Sequence, residues 1–148
     1  MLLEREREMG ILICVLSILQ TSNPAQERSK WQRIYTSEDS VIEMNLSTVT
    51  FGLKQIGRVR FRTTFSKAMN LKELPGTKYK SRLETIEFKC GEARYRIYET
   101  SLLDSKGKPL QTYEMNLADD WKPVKYGSMM ERLCAPACNL IAEKRRNP

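Results

Sequence analysis

The stretch ETIEFKCGEARYRIY (Glu84–Tyr98) constrains the fold more than any other part of the chain. Successive side chains of a strand point to opposite sides, so Ile86, Phe88 and Cys90 share one face while Thr85, Glu87 and Lys89 share the other. Gly91-Glu92 offers a two-residue turn with glycine at its first central position, as a type II′ turn requires. That turn sets Cys90 opposite Ala93, Phe88 opposite Tyr95 and Ile86 opposite Ile97. Inward residues then meet inward residues, and Glu87 meets Arg96 on the outside. The register agrees with itself, turns Cys90 toward the core and makes an antiparallel hairpin the centre of the fold.

The flanking sequence extends this pattern. Trp31–Thr36 and Val41–Met44 read as strands joined by a turn at Ser37-Glu38-Asp39-Ser40. From Gly57, residues Val59, Phe61, Thr63 and Phe65 alternate with Arg58, Arg60 and Arg62, which predicts a half-buried strand with apolar residues inward and arginines outward. Ser66–Lys80 shows no sustained period of two and contains Pro75-Gly76, so a long loop is expected there. Ser105–Pro109 is a further turn, leading to a strand over Leu110–Met115. Strand follows strand without βαβ spacing, so the sheet should be antiparallel.

One helix is expected, near the C-terminus. Ser128-Met129-Met130-Glu131 has capping-box spacing, in which the serine oxygen takes the Glu131 amide and Glu131 reaches back to the Ser128 amide. Met130, Leu133, Cys134, Ala137, Cys138 and Ile141 then form one apolar stripe at helical spacing. Lys144, Arg145 and Arg146 complement the negative end of the helix dipole. Pro136 removes a helix hydrogen bond, so a kink or split near Ala135 is expected. The fold class is therefore α+β, mostly β: an antiparallel sheet with one C-terminal helix.

Residues Gly10–Leu19 (GILICVLSIL) form an apolar run too short for a settled membrane span, followed by the polar, small-residue stretch Gln20–Ala25. This reads as the core and cleavage region of a secretory signal, although the leader MLLEREREM is not net basic. A start at Met9 would remove that leader, and Ala25 is the expected last residue removed. Residues 1–25 are thus expected to be a signal with its leader, and residues 26–148 one mature, exported domain with no transmembrane helix. The alternative is a buried N-terminal strand or helix of a cytosolic protein.

Function classes narrow by what is missing. The 148 residues include no histidine, which removes Ser–His and Cys–His catalysis and the commonest metal ligand. Aspartates and glutamates are scattered, and no spacing sets two of them as an acid–base couple. No catalytic residue, metal or cofactor is assigned. The net charge is +7, and because the first 25 residues sum to −1 the remainder carries about +8. That favours an anionic partner, whether polysaccharide, lipid head group, nucleic acid or acidic protein; an exported domain would meet a protein or an anionic glycan on the cell exterior. Arg58, Arg60 and Arg62, with Arg94 and Arg96 on the outer face of the hairpin, form a cationic patch if their strands are neighbours. The alternative is a solvated sheet face balanced by Glu84, Glu87 and Glu99. Tyr98 is the only obvious outward ring, which, with export, argues against nucleic acid.

Cys134 and Cys138 stand one helical turn apart, without the C-x-x-C spacing of a redox pair or the four ligands of a zinc site. A structural disulfide plus one buried thiol fits better, and the helix stripe offers both cysteines to Cys90.

The opening Trp31–Ile34, the strand IEFKC (Ile86–Cys90) with its turn and YRIY (Tyr95–Tyr98), and the tail KYGSMMERLCAPAC resemble the bacterial surface-adhesin protein E family. The resemblance spans nearly all of Lys30–Ile141. It implies an antiparallel sheet, one C-terminal helix and a disulfide between a strand cysteine and a helix cysteine. By position these are Cys90 and Cys138, with Cys134 as the alternative partner. Founding members of the family are adhesins for host matrix proteins. The resemblance implies a non-catalytic envelope module that binds or adheres, at the cell surface or in the periplasm. A structural periplasmic domain acting through self-association as a homodimer, or through contact with another envelope protein, is the alternative.

Overall fold

The structure, a computed structural model, describes residues 30–52, 56–114 and 120–147. The expected signal over residues 1–25 lies outside them. Within the described residues eight strands form one antiparallel sheet: β1 Trp31–Thr36, β2 Ser40–Asn45, β3 Thr50–Phe51, β4 Gly57–Asn70, β5 Lys78–Lys89, β6 Arg94–Leu103, β7 Pro109–Glu114 and β8 Lys122–Pro123. The spatial order is β1-β2-β4-β5-β6-β7, with the two short strands β3 and β8 attached to β4 and β6. Among the described residues one helix, α1 (Met129–Arg146), packs on one face.

Alternation decides which residues the helix covers. Ile42 and Met44 of β2, Val59 and Phe61 of β4, and Ile86 and Phe88 of β5 lie side by side and are buried. Leu133, Ala137, Leu140 and Ile141 close over them from α1. Each of these side chains larger than Ala137 contributes about 1.5–3 kcal/mol on leaving water. Phe61 and Phe88 meet edge-to-face, their centroids 6.2 Å apart.

The central hairpin keeps its expected register, Phe88 to Tyr95, Ile86 to Ile97 and Glu87 to Arg96, but closes differently. The last pair is Lys89 with Arg94; Cys90–Glu92 form a 3₁₀ turn, and Ala93 takes the left-handed conformation at φ 49°. Gly91 is not a positive-φ residue, so no type II′ turn forms. A four-residue loop and a two-residue turn centred on the same bond give one register, which is why the pairing survives the change. Cys90 therefore lies beyond the strand and is exposed rather than in the core.

The loop expected over Ser66–Lys80 shrinks to 71–77. β4 runs on to Asn70 and β5 starts at Lys78, with Met69 opposite Tyr79. These extensions project past the helix and are largely exposed, so nothing enforces polar–apolar alternation in them.

Ser128 caps α1, its Oγ accepting the Glu131 amide at 3.3 Å. The reciprocal bond departs from the capping box: Glu131 Oε2 accepts from the Gly127 amide at 2.7 Å, while the Ser128 amide donates to Lys125 O. Pro136 does not split the helix, which is continuous over its 18 residues. Leu140 joins the buried stripe expected from the sequence. Cys138 bonds to Cys90 across 48 residues of chain, with their Cα atoms 5.8 Å apart, and Cys134 remains a free thiol.

Candidate functional site

The sheet face away from α1 carries the arginines. On β4, Arg58, Arg60 and Arg62 point outward because Val59, Phe61 and Thr63 are buried beneath the helix side. The register aligns Arg58 with Glu87 on β5, and Glu87 with Arg96 on β6, in one row across three strands. Glu87 Oε1 accepts from Arg58 Nε at 2.7 Å, and Oε2 accepts from Arg96 Nε. Between them the Glu87 side chain is only 1% exposed. Glu87 is thus a carboxylate enclosed by two guanidinium groups, not a solvated counter-charge.

A parallel arrangement stands two rows away. Arg62 donates from Nε and Nη2 to Glu43 Oε2, at 3.0 and 2.8 Å, and lies over the Trp31 ring with Cζ 4.4 Å from its centroid. Arg58 lies 4.0 Å over the Tyr98 ring. Arg96 and Lys89 both lie 4.5 Å from the centroid of Trp121. Such contacts contribute about 0.5–2 kcal/mol each and hold the guanidinium planes in place.

β6 supplies its ring through a bulge. Thr85 pairs with Glu99 while Ile86 pairs with Ile97, so Tyr98 is the extra residue. The bulge re-aims the strand there. Tyr98 meets Arg58 on the outer face.

Arg60 and Arg94 differ from these three. Arg60 faces Thr85, Arg94 faces Lys89, and neither has a carboxylate partner among the described residues. Arg94 is exposed. The structure therefore brings the five expected arginines onto one face, three held by aromatic rings and carboxylates and two without a carboxylate.

Glu84, counted in the sequence as an outer-face charge, lies on the opposite face. It shares the row of Phe61 and lines a cavity beside Arg82. Burial raises its carboxyl above the usual range, against the pull of Arg82.

The sequence reading missed Glu43, Trp31 and Trp121 as members of the outer face. Glu43 was visible in principle, since it alternates with the inward Ile42 and Met44. Trp121 sits on a segment without periodicity, and only the tertiary fold carries it to Arg96. Among the described residues no three acidic or cysteine side chains converge as a metal ion would need. No described helix is long and apolar enough to cross a membrane.

One family model, described as surface-adhesin protein E, matches residues 31–139. No curated protein and no solved structure matches the chain significantly.

Proposed function

The chain belongs to the surface-adhesin protein E family, and from that premise we propose that it is a non-catalytic, exported binding module whose arginine-lined sheet face engages an acidic protein or anionic glycan outside the cell. The family points to adhesion and to an exported or surface location. The observation that supports this face as the binding surface is the unequal treatment of its arginines. Carboxylates occupy Arg58, Arg62 and Arg96, whereas Arg60 and Arg94 have none among the described residues. The occupied guanidiniums are fixed against aromatic rings, so a partner meets a surface that is already ordered. An incoming sulfate or carboxylate finds its charge partners at Arg60 and Arg94.

Retention on immobilised heparin tests this. The protein should bind and elute with salt, and Arg60→Ala with Arg94→Ala should elute at clearly lower salt, because screening weakens exposed charge contacts. Lys106→Ala with Lys108→Ala, in the turn between β6 and β7, should elute with the parent. Equal elution of the arginine variant and the parent would remove this face from the reading. A solution mass that rises with concentration, together with no retention, would favour self-association through a sheet edge instead.

A further inference from the structure

The helix-covered face holds a second feature, separate from the adhesion surface. The first turn of α1 leaves a cavity of about 680 Å³ between Met130 and Leu133, the sheet, and β8. Pockets of roughly 300–1,000 Å³ suit small molecules.

The register gives the cavity its layout. Its floor runs along β5 and β6, from Tyr95 through the row of Ile86 and Ile97 to Glu84 and then Arg82. Same-face residues along a strand are two positions apart, about 6.7 Å, so the trough extends roughly 20 Å. Its middle is apolar: Ile97 lines it half-buried, above the buried Ile42, Phe61 and Ile86. Its two ends are charged. Lys122, paired with Tyr95, and Lys125 stand at one end, while Arg82 and Glu84 close the other.

The charges at the two ends differ in kind. Arg82 and Glu84 offset each other, with Nε and Oε2 3.2 Å apart. At the other end Lys122 has a distant carboxylate, Asp120 at 3.7 Å, and both Lys122 and Lys125 are exposed. Among the described residues lining the cavity, Glu84 is the one carboxylate against three cations. An elongated apolar trough with a cationic mouth, where Lys125 has no carboxylate among the described residues, and an ion-paired far end fits a molecule with a long apolar body and one anionic terminus. We propose that this trough binds a single-chain amphiphile of the fatty-acid class, its chain between Ile97 and Met130 and its carboxylate at Lys122 and Lys125.

Calorimetric titration of the disulfide-intact protein with decanoate, and with decyltrimethylammonium as a cation of matched chain, tests the proposal. Decanoate should bind at least tenfold more tightly than the cation. Ile97→Trp, which fills the trough, should abolish binding, and Lys122→Glu with Lys125→Glu should weaken it about tenfold; circular dichroism checks that each variant is folded. Should Ile97→Trp not fold, Met130→Trp on the half-buried edge of α1 blocks the same space. Equal affinity for the two amphiphiles, or unchanged decanoate binding in the folded tryptophan variant, overturns the proposal. So does a ligand-free dimer that Met130→Trp dissociates, since a second copy would then be the occupant. None of these variants touches Arg60 or Arg94, so failure here and failure on heparin are separable.

Discussion

Glu84 and Glu87 are three residues apart on one strand and meet opposite environments, because an odd spacing in a strand places them on opposite faces. Glu87 loses its water to two guanidinium groups that bond both of its oxygens. Glu84 loses its water to apolar neighbours and has one cation, Arg82, whose buried Nε makes no hydrogen bond. Desolvation therefore outweighs attraction at Glu84, and its carboxyl is raised above 4.5. The folded state then holds this proton more tightly than the unfolded chain does. Below 4.5 both states are protonated and the burial has no charge penalty; as pH rises through the raised folded value, the ionised carboxylate lowers stability. Glu84→Gln should accordingly raise the melting temperature near pH 7, and the gain should fade toward zero as the pH falls below 4.5. A gain that persists in acid would show that the effect is packing rather than ionisation.

At the scale of the element, the seating of α1 depends on Gly57 at the start of β4. A Cβ built there would lie 2.4 Å from Ile141 Cδ1 and 2.5 Å from its Cγ1. Ile141 is itself buried and fixed by its neighbours, so it has no room to yield. Gly57→Ala should therefore lower stability by about 1–3 kcal/mol, as overpacking does. Adding Ile141→Val should recover part of that loss, a coupling that urea unfolding of the single and double variants would measure. Equal losses in both backgrounds would mean that the helix shifts freely. The need for glycine here was not legible, since nothing in the pattern of β4 announces how near a distant helix comes. The strands beneath α1 were legible, because burial on one face enforces alternation in Val59–Thr63 and in Ile86–Phe88. The ends of β4 and β5 were not, because Lys67–Asn70 and Lys78–Lys80 cover no core. The arginine face divides in the same way: alternation exposed Arg58, Arg60 and Arg62, whereas their partner rings Trp31 and Trp121 arrive through strand order and a loop.

For the whole molecule, the sheet and the helix differ in how the chain holds them. Each of the long strands from β4 to β7 pairs with its sequence neighbour, so the sheet assembles from local contacts, while α1 returns from the C-terminus to cover β1, β2, β4 and β5. The Cys90–Cys138 bond fixes that return by closing a loop of 48 residues. In the chain-entropy account this restricts the unfolded state by roughly 3–4 kcal/mol, a large part of the about 5–15 kcal/mol that holds a domain folded. The sequence offered two helix cysteines on one stripe. Distance separates them in the fold, since Cys138 meets Cys90 while Cys134 packs half-buried against the core with its Sγ 3.8 Å from that of Cys138. Burial raises the Cys134 thiol, so little of it is the reactive thiolate and exchange into the neighbouring disulfide is disfavoured at neutral pH. Cys138→Ser should thus lower unfolding stability by roughly 3–4 kcal/mol, and a reducing agent should lower the parent by a similar amount while leaving the variant unchanged. Cys134→Ser should keep the Cys90–Cys138 peptide pair in a non-reducing digest. A digest of the parent that links Cys90 to Cys134 would move the staple one helical turn along α1, whereas a Cys138→Ser protein as stable as the parent would show that the helix is held by packing alone.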